Sequence, residues 1–99
     1  MIEEIKELII LQQKLAKQAL SEYSGLVDNI VTSQSTDQNR IEHTLDAMLD
    51  FCFDANMLLL FKKLCRYYFT INPQATTSYI NIYREMWDSD IIENKMPTE

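Results

Sequence analysis

Residues 54–87, DANMLLLFKKLCRYYFTINPQATTSYINIYREMW, decide how this chain folds. Met57, Leu58, Phe61, Leu64, Cys65 and Tyr68 recur every three to four positions, the spacing that puts side chains on one face of an α-helix. Lys62, Lys63 and Arg66 fall outside that face, and Leu60 and Tyr67 lie at its margin. Asp54 is a favoured N-cap, so a helix is predicted over about 55–69. Thr70-Ile71-Asn72-Pro73 then stops it: Asn72 is a good cap, and Pro73 suits a first helical turn because it has no N–H to leave unpaired. A further helix should follow over about 73–88, with Ala75, Tyr79, Ile80, Tyr83, Met86 and Trp87 facing inward. The segments YYFTI and SYINIY are rich in β-branched and aromatic residues and would also suit strands. The Asn-Pro start signal and the 79/80, 83, 86/87 spacing favour helix.

Upstream, Thr32–Asn39 (TSQSTDQN) has no apolar side chain and reads as a loop. A capping box of Ser35 and Gln38, or a cap at Thr36 or Asp37, should open a helix over about 37–53. Its apolar face is Ile41, Leu45, Met48, Leu49 and Cys52, with Phe51 and Phe53 beside it. Glu42, Asp46, Asp50 and Asp54 stand four apart and form a row of like charge, which costs a few tenths of a kcal/mol per pair on an isolated helix. The basic surface of the next helix is the candidate to offset that row.

From Ile2 to about Val31 one helical pattern continues. Ile5, Ile9, Gln12, Ala16, Ala19, Tyr23, Leu26 and Ile30 form a seam, widened by Leu8, Leu11, Leu15, Leu20 and Val27. Such a helix, roughly 43 Å long, exceeds its later partners. It must bend near Ser24-Gly25, or project and pair with another chain. Glu3, Glu4 and Glu7 suit the positive end of its dipole.

The expected fold class is therefore all-α: a four-helix, up-down, bundle-like arrangement with a long first helix, spanning about 2–31, 37–53, 55–69 and 73–88. Residues 1–90 would be a single helical domain and 91–99 a flexible tail. Ninety-nine residues suffice for one modest core. A lone glycine, Gly25, and two prolines, Pro73 and Pro97, argue against a small barrel or sandwich, which needs many tight turns. They also exclude Gly-rich phosphate loops and dinucleotide fingerprints. MIEEIKEL makes a poor secretory signal, and the longest apolar run, Met57–Phe61, is far short of a membrane span. A cytoplasmic protein with reduced, half-buried Cys52 and Cys65 is expected.

For chemistry the residues offer little. His43 is the only histidine; with Asp46 and Asp50 it shares one helix flank, but a surface histidine beside carboxylates is the plainer reading than a metal site. Neither Ser/Thr cluster, 32–36 or 76–78, lies beside a histidine or in a nucleophile elbow. No enzymatic activity, cofactor or metal is expected.

Charge supplies the functional expectation. The chain carries a net charge of −6, yet residues 55–84 contain no acid and four cations, Lys62, Lys63, Arg66 and Arg84. Seven of the ten aromatic residues lie within 61–87, more than a small core needs, and aromatic and arginine side chains dominate interface energetics. The expectation is a non-enzymatic protein–protein interaction module whose basic-aromatic surface (Lys62, Lys63, Arg66, Tyr67, Arg84) receives an acidic partner. That partner could be a protein segment or the acidic second helix of a neighbouring subunit, and the chain could form a homodimer through the first helix. The alternative is an accessory nucleic-acid-binding protein of helix-turn-helix type, presenting Gln74, Thr76, Thr77, Ser78, Asn81 and Arg84. Against it stand the glycine-free turn, the bulky Tyr67 and Tyr68, and a pI near 4.7, which opposes a phosphate backbone.

Overall fold

A computed structural model describes residues 2–87, and these form four helices: α1 (Ile2–Thr32), α2 (Gln38–Leu49), α3 (Ala55–Phe69) and α4 (Pro73–Trp87). The fold is all-α, with no strand among the described residues. The expected tail, 91–99, lies outside them.

Local chemistry sets the helix ends. Asp37 accepts from Arg40 N to cap α2, Asp54 from Met57 N to cap α3, and Asn72 Oδ1 from Ala75 N to cap α4. Each satisfies an amide that the helix itself leaves unpaired. Of the caps open for α2 from sequence, Asp37 takes the position, and Ser35 Oγ accepts from its amide. Beyond α1, Ser35 N donates to Ile30 O and Gln34 N to Val31 O, closing the helix in a Schellman turn. Gln34 takes the left-handed position at φ 54°, where glycine is commoner.

Helix α2 ends four residues before the expected Phe53. Its last turn holds no base and carries Asp46, with Asp50 as the C-cap, so carboxylates meet the negative end of its dipole. Residues 51–54 instead close in i→i−3 turns, Phe51 N to Met48 O and Asp54 N to Phe51 O. This brings Cys52 into the core and stands Phe53 against Trp87, ring centroids 5.9 Å apart.

The long-range contacts fix the directions. Pairing of Lys63 with Asp28 and of Tyr67 with Ser35 O runs α3 alongside α1. Bonds from Tyr68 to Glu42 and from Asn72 to Gln38 reverse α2 against α3, and Tyr79 to Glu42 O and Trp87 Nε1 to Leu49 O reverse α4 against α3 as well. The result is an up-down-up-down order with α3 packed against all three other helices. Val27, Ile30, Ile41, Leu45, Met48, Met57, Leu64 and Tyr68 are fully buried between them. In α4 the buried side is Thr76 and Tyr79, with Ala75, Ile80 and Tyr83 partly covered; Met86 and Trp87 remain substantially exposed.

Helix α1 is not interrupted at Gly25. It runs unbroken for 31 residues, about 46 Å, longer than any partner. Its burial begins only at Ala16, which meets the α2–α3 turn near Phe53, Asp54 and Ala55. Residues 2–15 project beyond the core with every residue exposed. Within the covered half, Val27 rather than Leu26 takes the buried position.

Gly25 sits inside this helix, exposed, with open space where a Cβ would stand. Gly25→Ala should therefore stabilise the domain by about 1 kcal/mol and raise Tm by about 4–8 °C, read by thermal melting. An unchanged or lower Tm would mean that the glycine serves something other than helix formation.

Candidate interaction groove

Helices α3 and α4, joined by the short 70–72 turn, leave a groove between them of about 420 Å³. Its floor is apolar: Phe61, Cys65 and Tyr83, the first and last with ring centroids 6.0 Å apart, and buried Thr76. Leu58, Phe69 and Ile80 form its walls. Lys62 and Arg66 from α3 and Arg84 from α4 stand on its rim, all exposed. None of the three forms an ion pair with a described residue. Along the outer ridge of α3, Leu59 and Phe69 are 63% and 53% exposed and flank the two cations in the order Leu59, Lys62, Arg66, Phe69. Apolar groups and bare positive charge thus share one surface.

The other two candidate residues on α3 face away from this groove. Lys63 is one position, hence about 100°, round the helix from Lys62. Its Nζ donates to Asp28 of α1 at 3.0 Å, an exposed pair of the kind worth at most about 1 kcal/mol. Tyr67 is partly buried toward the α1–α2 loop, where its hydroxyl donates to Ser35 O at 2.7 Å. The structure therefore brings Lys62, Arg66 and Arg84 together and sets Lys63 and Tyr67 against α1 and its loop.

The residues weighed for nucleic-acid contact are divided too. Gln74, Thr77, Ser78 and Asn81 lie on the open side of α4. Thr76, contrary to the expected outward set, is only 1% exposed and donates to Asn72 O one turn back. With Ala75 and Tyr79 already directed at the core, position 76 falls on the packed side of the same turn.

The acidic row of α2 meets hydroxyls rather than cations. The Tyr68 hydroxyl donates to Glu42 Oε2 and stands 3.2 Å from Gln38 Oε1, which accepts from Asn72 Nδ2 at 2.9 Å. The Tyr79 hydroxyl donates to the Glu42 carbonyl at 3.4 Å, with the Asp46 carboxylate near it. Burial, reinforced by Glu42, pushes the Tyr68 phenol up to about 12, and burial with Asp46 pushes Tyr79 higher still. The sequence holds a signal for this network: two core-facing tyrosines opposite carboxylates spaced four apart on the neighbouring helix.

Cys52 and Cys65 are free and buried, both thiols raised to about 12 chiefly by desolvation. Thiols so raised stay protonated near neutral pH and make poor nucleophiles. The hydroxyls of Thr76, Thr77 and Ser78 each donate to a carbonyl one turn back. His43, Asp46 and Asp50 are all exposed, and among the described residues no group of three or more His, Cys, Asp or Glu side chains is placed to hold a metal ion. No described helix is long and apolar enough to cross a membrane. No protein-family model, curated protein or solved structure matches the chain.

Proposed function

We propose that this protein is a non-enzymatic interaction module whose α3–α4 groove receives an amphipathic, acidic helical segment. One observation carries the reading: in a chain of net charge −6, an apolar groove is rimmed by three cations that no described acid neutralises. A helix laid in such a groove buries anchors at i, i+3 and i+7, while carboxylates on its flanks meet the rim. The same reading includes self-association through α1, whose first half is bare, in a cytoplasmic setting that suits two buried free thiols. A nucleic-acid role draws less support, because Thr76 is buried and Arg84 is the lone cation among the polar residues of α4.

Fluorescence anisotropy with two synthetic amphipathic helices tests this. They share leucines at i, i+3 and i+7 and carry either glutamate or lysine on the flanks. The acidic helix should bind and the basic one should not. Lys62→Glu with Arg66→Glu, both at exposed positions, should weaken the acidic helix about tenfold or more and turn the preference toward the basic one. Equal binding of both peptides, or an unchanged preference in the variant, would overturn the proposal.

A further inference from the structure

Two apolar surfaces lack a partner among the described residues, and they are complementary. One is the groove. The other is the projecting half of α1, where Ile2, Ile5, Leu8, Ile9, Leu11 and Leu15 are between 47% and 72% exposed. Ile2, Ile5 and Ile9 continue the face that packs onto α2 and α3 from Ala16 onward, and Leu8, Leu11 and Leu15 form an adjoining stripe on its flank, so apolar surface runs on past the end of the core. Isolated exposed leucines need no explanation, but an apolar face sustained over four helical turns marks a binding surface.

Charge and length say what covers it. Leu8, Leu11 and Leu15 stand at i, i+3 and i+7, the anchor pattern of a helix in a groove. Three acids outnumber Lys6 and Lys14 in residues 2–15, and of these Glu3 and Glu7 lie near the amino-terminal end of that stripe, opposite in charge to the three cations of the groove rim. The fourteen projecting residues extend about 21 Å, and the α3 wall, from Leu58 to Phe69, extends about 17 Å. The projecting half of α1 does not reach the groove of its own chain: α1 is unbroken and lies on the Lys63 side of α3, away from the Lys62 and Arg66 rim.

We infer that the groove is filled by the projecting half of α1 from a second copy of this chain, an inference that rests on the groove proposed above as a receptor for an acidic helix. Exchanged reciprocally about a two-fold axis, the contact closes a dimer. Repeated in one direction, it builds a chain of subunits.

Sedimentation velocity on the full chain tests it. Wild type should self-associate reversibly, more weakly as salt is raised. Leu8→Gln with Leu11→Gln, both exposed, and separately Lys62→Glu with Arg66→Glu, should each raise the dissociation constant about tenfold or more. Adding Glu3→Lys and Glu7→Lys to the groove variant should restore association, which a general loss of folding would not permit. If the groove variant associates as well as wild type, the projecting helices pair with each other and the inference fails. It fails also if wild type stays monomeric at every concentration. In either case selective binding of the acidic peptide would leave the groove's role standing, whereas loss of that selectivity would remove both.

Discussion

Tyr68→Ala is expected to destabilise the domain by about 3–5 kcal/mol, the cost of removing a large side chain from a site that cannot collapse. Tyr68 is fully buried on α3, the helix that packs against all three others, so no single element can move to fill the space. Domains of this size hold only about 5–15 kcal/mol in all, so the loss is a large fraction of the whole and should lower the urea midpoint markedly. Tyr68→Phe separates packing from hydrogen bonding. The ring stays, but the half-buried Glu42 carboxylate loses its phenolic donor, and a loss of about 1–3 kcal/mol is expected. Urea unfolding followed by far-UV circular dichroism measures both. If the phenylalanine variant is as stable as wild type, Glu42 turns to solvent without cost and the hydroxyl network is ornamental.

Alkaline pH should unfold the protein along a steep curve. Cys52 and Cys65 are raised from 9.0 to about 12, Tyr68 from 10.0 to about 12, and Tyr79 beyond that, in each case first of all by burial. The folded chain therefore keeps protons that the unfolded chain releases. Below pH 9 both states hold them, and these groups leave stability independent of pH. Above pH 9 the unfolded state loses the two thiol protons, and above pH 10 the two phenolic ones. Stability then falls by about 1.4 kcal/mol per pH unit for each proton by which the states differ, until the folded pKa values are reached. Urea midpoints taken from pH 7 to 11 should be level and then drop. Cys52→Ala with Cys65→Ala should postpone the onset from about pH 9 to about pH 10, whatever its effect at neutral pH. A flat profile to pH 11 would show that these groups reach water in the folded state.

Much of the fold was legible because it is local. Asp54 and Asn72-Pro73 supply caps that need no distant residue, and the three-to-four spacing of Met57, Phe61, Leu64 and Tyr68 specifies a buried face whatever it packs against. The end of α2 was less so. Phe51, Cys52 and Phe53 fit a helical phase, but a carboxylate-lined terminus and the approach of Trp87 favour tight turns instead.

By itself the sequence determined that the chain is helical, where α3 and α4 begin, and that one short region gathers cations in an acidic protein, since all of these follow from neighbouring residues and composition. Only the tertiary structure decided that Lys62 and Arg66 line a groove with Arg84 while Lys63 pairs with Asp28, that Thr76 is interior, and that α1 outruns its core at Ala16. One residue step turns a side chain about 100° round a helix, and which neighbour it then meets depends on how four helices of unequal length dock, a relation written in no single segment.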